Sequence, residues 1–392
     1  MNVLIIHNRY VYPGGEDEVV RAEQDILRRF GHDVVVYERH NDEISAMDAG
    51  RKARFLLKDV YWSQKTYHEL RGLIRRHRPD VAHIHNTFYM VSPSVYQACS
   101  DSRLPVVQTL HNYRFLCPVA TFYRRGNICH ECLTQGRKAA VHHRCWDNSV
   151  IKTFFLTRLL DVYAEKDVVH QKVDAFIALS EFSKTMFVQA GYDAGRIFVK
   201  PNFLTDDPGA SSAKGGYAVF VGALQEYKGV KTLVEAFKRL PCPFPLKIMG
   251  DGPLRAWLVS AIEGTAIEYL GQRPHREMLG VLKDAAFLVA PSTCYETFSR
   301  VVMEAYACGG AVIVSHLGAM KEIVEEHQTG LFFRPGDAED LAVKVQYLVQ
   351  HPDVAGRMGQ RAREAYEEKF TAQSNYQKLM SIYQQTISAH GI

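Results

Sequence analysis

Short apolar runs alternate with longer stretches of helical apolar spacing along nearly the whole chain, and this alternation restricts the fold more than any other feature. Runs of four to six residues separated by amphipathic helices are the pattern of βαβ units with mostly parallel strands. In the first half the expected strands are Val3–His7, Asp33–Tyr37, Val81–His85, Val106–Leu110 and Ala175–Ala178, with helices such as Glu18–Phe30 and Ser63–His77 between them. A Ser/Gly/Asp-rich stretch, Thr205–Gly216, reads as a linker. The rhythm then restarts at Tyr217–Val221, Leu246–Met249, Ala266–Leu270, Phe287–Ala290 and Ala311–Ser315, and a last helix is expected near Ala372–Ser388. The reading is an α/β protein of two doubly wound, Rossmann-like domains, with the carboxyl ends of their strands facing a central cleft. The expected division is residues 1–203, 204–369 and a C-terminal helix, 370–392, returning to the first domain. A Cys-rich insertion is placed at 112–148.

The chain has 392 residues, about right for two cores. Its net charge of +4 is spread without a basic stripe, so nucleic acid is not an expected partner. Met1-Asn-Val-Leu-Ile-Ile-His enters a strand directly and lacks signal-peptide character, and no run of about 18 apolar residues exists. The expected compartment is the cytoplasm.

The most informative segment follows the run Phe287–Ala290: Pro291-Ser-Thr-Cys-Tyr-Glu-Thr-Phe-Ser-Arg-Val-Val-Met-Glu-Ala-Tyr-Ala-Cys-Gly. A helix is expected to begin near Ser299 and to end at Gly309. Its unpaired amides near Ser299 and Arg300 could then receive a diphosphate. Glu296 precedes the helix, and Glu304 lies about one turn inside, where a carboxylate can accept two hydrogen bonds from vicinal hydroxyls. As bare residues, both could equally be surface glutamates.

Glu296-x7-Glu304, in the frame E-x-F-x-x-x-x-x-E-A-x-A-C-G, resembles the signature of the retaining glycosyltransferases of family four, which have the GT-B fold and act in bacterial polysaccharide or lipid-linked glycan synthesis. The resemblance spans nearly the whole chain. It includes Pro13-Gly14-Gly15-Glu16, Gly222…Lys228-Gly229, Gly250-Asp-Gly-Pro253, Leu317-Gly318 and Thr329-Gly-Leu-Phe-Phe-Arg-Pro-Gly-Asp337. The resemblance implies that Glu304 holds the ribose and that Glu296 contacts the donor sugar. Backbone amides at Phe298, Ser299 and Arg300 would receive the diphosphate, and Lys228 would neutralise it as it leaves. Gly222 would line the same site, and Gly271, Gln272 and Arg273 would meet the base. The family usually has Gly-Arg-Leu where this chain has Gly222-Ala223-Leu224, so a second cation is missing there and Arg300 is a candidate substitute.

In the first half, Gly14 and Gly15 could let the backbone approach a phosphate or sugar at a helix start, although a Gly pair alone is an ordinary turn. This is not G-x-G-x-x-G, so a nicotinamide site has little support. His111 follows the run Val106–Leu110, at the cleft end of a strand, where the resemblance implies a donor-sugar contact. His85 and Asn86 end the preceding strand and are candidates for acceptor binding. Ser180 and Ser183 read as helix-capping residues. Cys117, Cys129, Cys132 and Cys145 are spaced x11, x2 and x12. A structural zinc on these four is one reading, free thiols another and an iron–sulfur or redox role a third, and His130, His142 and His143 are competing ligands. Arg51–Arg78 mixes basic residues with Phe55, Leu56, Leu57, Val60, Tyr61 and Trp62, a pattern that suits an anionic membrane surface or simply a solvated helix face.

The expected activity is hexosyl transfer from a nucleoside-diphosphate sugar (a UDP- or GDP-sugar) to a hydroxyl of a glycan or lipid-linked acceptor, with retention. The resemblance implies a front-face mechanism without a protein nucleophile. The sequence has no D-x-D motif, so catalysis is expected to need no cofactor and no divalent metal at the diphosphate. The alternatives are a sugar-nucleotide epimerase or a phosphorylase on the same fold, or a non-catalytic glycan-binding protein.

Overall fold

The structure, a computed structural model, describes residues 1–11, 14–211 and 214–391, apart from the side chains of Val169 and His170. Pro13 of the Gly-Gly motif and Ser212 and Ala213 of the expected linker lie outside the described residues. Two compact units are present. The first comprises residues 1–120, 130–205 and 372–392, and the second comprises 121–129 and 206–371.

The strands, in chain order, are β1 (Asn2–Arg9), β2 (Asp33–His40), β3 (Val81–Asn86), β4 (Val106–Leu110), the short pair β5 (Tyr123–Arg124) and β6 (Asn127–Ile128), β7 (Ala175–Ala178) and β8 (Ile197–Val199). In the second unit they are β9 (Ala218–Val221), β10 (Leu246–Met249), β11 (Ile267–Gly271), β12 (Phe287–Ala290), β13 (Ala311–Ser315) and β14 (Gly330–Phe333). The first sheet has the order β2-β1-β3-β4-β7-β8 and the second β11-β10-β9-β12-β13-β14, with every neighbour pair parallel. In each sheet the order reverses direction once, between β1 and β3 in the first and between β9 and β12 in the second. Open parallel sheets bind ligands beyond the carboxyl ends of the strands at such a point.

The apolar runs explain the cores. Every residue of β4, β7, β12 and β13 is buried, as continuous runs covered by helices on both faces should be. Helix Gln64–His77 starts where Ser63 accepts a hydrogen bond from Thr66 N, and Ser180 caps helix Glu181–Gln189 through Ser183 N. Helix Ala372–Ala389 packs Leu379, Ile382 and Tyr383 onto Val3, Ile5, Val81, Val107 and Ile177. It is therefore part of the first unit's core. Strands β8 and β14 are additions to the sequence reading, which named no strand at either place, because three or four residues show too little periodicity.

Candidate active site

In the second unit, the loops after β9 and β12 are locked together by close backbone approach. Gly229 has φ +74°, and a Cβ there would meet the carbonyl oxygen of Pro291 at 1.9 Å. Thr293 donates its N–H to the carbonyl of Tyr227 at 2.8 Å. Beside this contact, Lys228 Nζ lies 2.6 Å from Glu296 Oε1, which also accepts from Ser292 Oγ at 2.7 Å. Burial alone would lower the lysine, but Glu296 and then Cys294 outweigh it and hold the ammonium above the usual lysine range. The cation is therefore fully charged and fixed at the switch point of the sheet.

Helix Arg300–Ala307 starts at Ser299, whose extended backbone and uncapping hydroxyl leave the first-turn amides without a side-chain cap. Phe298 packs its ring on Phe370 at 5.7 Å between centroids, so only its backbone can face a ligand. Glu304 has a buried side chain, and its Oε1 is reached by His275 Nε2 at 3.0 Å and by Arg300 Nη2 at 3.4 Å. Arg300 is thus turned toward Glu304. The helix ends with Gly309 at φ +67° and bonds from Gly309 N to Tyr306 O and from Gly310 N to Ala305 O, a left-handed stop that glycine adopts without strain.

Gly222 donates to Met249 O, and Gly250, at φ +137°, lies against its carbonyl, leaving no room for a side chain. Gly271, at φ +72°, closes β11, and Gln272 and Arg273 follow it as exposed residues, Arg273 within 3.9 Å of Glu277. The hairpin β5–β6 also packs here, with Phe122 against Tyr295 and Tyr123 against Tyr227.

In the first unit, Gly14 donates its N–H to Asp17 Oδ2 at 2.7 Å, while Asp17 Oδ1 lies 2.8 Å from His7 Nε2. That amide caps helix Gly15–Arg29. Glu16, one residue into the helix, accepts from Asn112 Nδ2 at 3.3 Å. Burial, reinforced by Asp17 and opposed by Arg114, pushes its carboxyl up to about 7. Glu16, His85, Asn86, His111, Asn112 and Arg114 line one small cavity. His85 Nδ1 is 2.9 Å from His111 Nε2. Burial, with His7 and Lys200 adding to it, pushes His111 down to about 3. Asn86 spends its amide within the fold, donating to Asn8 O at 2.6 Å and accepting from Phe88 N at 3.1 Å.

The sequence reading missed Glu23, His83, Lys200 and His275. Glu23 and Lys200 form a fully buried ion pair at 2.7 Å behind His83 and His85. Only the alternation His83-x-His85 within β3 signalled this cluster. Among the described residues, Glu23, His83 and His85 are the one set of metal-type ligands within 4.8 Å of each other, and Lys200 already bonds one oxygen of that carboxylate. Of the four cysteines, Cys117, Cys132 and Cys145 belong to the first unit and Cys129 to the second.

Residues 13–207 match the family model Glycosyltransferase Family 4, and residues 206–365 match Glycosyl transferases group 1. The chain is a family 4 glycosyltransferase of the GT-B fold. An uncharacterized glycosyltransferase of Methanocaldococcus jannaschii is 28% identical over 172 residues, 43% of this chain and 48% of that protein. Glycogen synthase of Mycobacterium tuberculosis is 32% identical over 163 residues, 40% of this chain and 39% of that protein. The matches therefore span less than half of these relatives' length. Among solved structures, Anabaena HepE in complex with UDP superposes with a TM-score of 0.68 at 17% identity, over 98% of this chain and 100% of that one. At that identity the likeness establishes the GT-B fold.

Proposed function

We propose that the chain moves a hexosyl unit from a nucleoside-diphosphate sugar to a hydroxyl of a glycan or lipid-linked acceptor, with retention of configuration and in polysaccharide biosynthesis. The observation that carries this reading is the Lys228–Glu296 pair at the point where the second sheet reverses its order. A half-buried, fully charged lysine beside a helix start that the Ser299 side chain does not cap suits a diphosphate leaving group, and a cation fixed there could contribute about 3 kcal/mol to its departure. Lys228 would fill the role that a divalent ion has elsewhere. HepE, of the same fold, was solved with UDP and with UDP-glucose, which supports a nucleotide-sugar donor here.

Glu304 would accept from the ribose hydroxyls, with His275 and Arg300 setting its orientation. Glu296 would contact the sugar, and His111 a sugar hydroxyl. A structural zinc on Cys117, Cys129, Cys132 and Cys145 is proposed from the C-x-x-C spacing and from the short elements of the insertion, and metal analysis of the purified chain tests it.

Docking on an anionic membrane is also proposed. Among the described residues no helix is long and apolar enough to cross a membrane. Within the basic stretch, Phe55 and Val60 are core residues, but Leu56 and Leu57 are exposed. The start of helix Val150–Glu165 adds exposed Val150, Ile151, Phe154 and Phe155.

The test is donor binding and hydrolysis across a panel of nucleoside-diphosphate sugars, with chelator present, for wild type and Glu304→Ala. One donor that binds and loses about tenfold or more in affinity in the variant supports the reading. A wild type that binds no sugar nucleotide, or an unaffected variant, overturns it. Turnover without acceptor to an isomerised donor would identify an epimerase, and a need for free phosphate would identify a phosphorylase.

A further inference from the structure

The histidines at the carboxyl ends of β3 and β4 form a line that leads back into the core. His83 and His85 are two residues apart on β3, so the pleat directs both to one side of the sheet. Their ring centroids are 4.2 Å apart. His85 Nδ1 meets His111 Nε2 at 2.9 Å. Behind His85 stands the buried Glu23, whose Oε1 accepts from Lys200 Nζ at 2.7 Å. Its Oε2 lies 3.5 Å from His85 Nε2 and 3.3 Å from His83 Nδ1. Glu23 Oε2 and His85 Nε2 are both buried and neither makes a hydrogen bond, so they face each other across the 3.5 Å gap as charge and ring nitrogen.

Counting protons along this line gives one arrangement. A carboxylate paired with a buried ammonium has no proton to donate, and a lone pair on His85 Nε2 would point at its negative charge, so the His85 proton sits on Nε2. A neutral imidazole carries one N–H, so His85 Nδ1 is an acceptor. His111 Nε2 must then be the donor, and the His111 lone pair is at Nδ1. Burial keeps both rings neutral, helped by His83 at His85 and by His7 at His111. His7, bonded to Asp17, is the other histidine near His85, with ring centroids 6.2 Å apart.

We infer that Glu23 and His85 are positioning residues that fix His111 as its Nε2–H tautomer, so that it meets its ligand as an acceptor for a hydroxyl rather than as a donor to a phosphate oxygen. The inference rests on the reading of His111 as a sugar-contacting group. It also gives the C-terminal helix a part in the site. Tyr383 OH lies 2.7 Å from His83 Nδ1, across 300 residues of sequence, and Asn375 Oδ1 accepts from Lys200 Nζ at 3.1 Å. The last helix thus braces the groups that orient His111.

The test is a long-range proton–nitrogen spectrum of the full chain labelled with 15N-histidine, without ligand, assigned by the signals lost in His85→Gln and His111→Gln. The expected result is neutral Nε2–H rings at both positions. An Nδ1–H tautomer at either, or a protonated His111 at pH 7, overturns the inference, and this needs neither a substitution at Glu23 nor any activity. In Glu23→Gln the carboxamide can donate as well as accept, so His111 should show a mixture of tautomers. Its kcat should fall about tenfold to a hundredfold, the range for losing a partner that orients a histidine. Tyr383→Phe, which removes only the hydroxyl on His83, should leave the His111 signals in place. A folded Glu23→Gln with an unchanged His111 tautomer removes the positioning role. If the tautomers are as expected but no sugar nucleotide binds, the transferase reading falls and the proton arrangement stands.

Discussion

Lys228 and Glu296 are 68 residues apart in sequence and 2.6 Å apart in space, joined where two loops of one sheet are pressed together. The pair holds a charged lysine in place before any ligand arrives, which is what electrostatic stabilisation of a leaving diphosphate requires. Lys228→Ala is expected to lower kcat by about a hundredfold or more, with a much smaller effect on donor binding, as steady-state transfer assays would show. Lys228→Arg keeps the charge but not the compact point geometry, so it should recover only part of the rate. A variant with unchanged kcat would assign the lysine to structure.

The same loop contact makes Gly229 a stability position as well as a positioning one. Alanine there would place a Cβ 1.9 Å from the Pro291 carbonyl and require φ +74° of a residue that disfavours it. We expect Gly229→Ala to cost roughly 2–3 kcal/mol, which is about 5–10 °C in the melting temperature of a unit this size. It should also lower transfer by moving Lys228 off Glu296. Calorimetry paired with the transfer assay checks both effects, and a variant that melts like wild type removes the steric argument.

Much of this was legible in the sequence, for reasons that particular residues make plain. Val106–Leu110, Ala175–Ala178, Phe287–Ala290 and Ala311–Ser315 were read with their observed ends, because a continuous apolar run is what a strand covered on both faces must be. Glu296 and Glu304 stood out because they flank an expected helix start after a strand, and Lys228 because the family resemblance extends to the loop after β9. Glu23 and Lys200 were not. They are 177 residues apart, and a buried ion pair leaves no periodic trace: each reads as an ordinary helix or loop charge until the sheet brings them together. His275 was invisible for the same reason, since its partner Glu304 is 29 residues on. At the Gly-Gly pair a helix does begin, but Gly14 gives its amide to Asp17.

Glu16 should make the first unit sensitive to pH near neutrality. Its carboxyl is raised to about 7, above the value of roughly 4.3 expected for an unfolded chain. A raised carboxyl means that the folded state holds the proton more tightly. Its contribution is therefore most favourable below about pH 4 and is lost as the pH rises toward 7. Glu16→Gln removes that loss. Its melting temperature should gain on wild type between pH 5 and pH 8, by an amount on the order of 1 kcal/mol once partial exposure is allowed for. Equal differences at the two pH values would show that Glu16 titrates normally.

Membrane docking makes a separate demand on the first unit. Leu57 is 71% exposed, Ile151 69% and Phe154 54%, so most of each large apolar side chain faces outward. Basic residues flank both segments: Arg51, Lys52, Arg54 and Lys58 around Leu57, and Lys152 and Arg158 around Phe154. The segments adjoin each other where Lys166 lies 5.3 Å over the Trp62 ring. The chain should therefore co-sediment with vesicles containing phosphatidylglycerol and much less with pure phosphatidylcholine. Binding should weaken as salt shortens the screening length to about 8 Å at physiological ionic strength. Each large side chain buried in the interface is worth about 1.5–3 kcal/mol, so Ile151→Ser with Phe154→Ser should weaken binding by at least about tenfold. Donor affinity should not change, because neither residue lies in the candidate active site. Failure to bind anionic vesicles, or binding indifferent to the double substitution, would return these residues to ordinary surface, and a concentration-dependent dimer lost in the same variant would give the patch to a second copy of the chain.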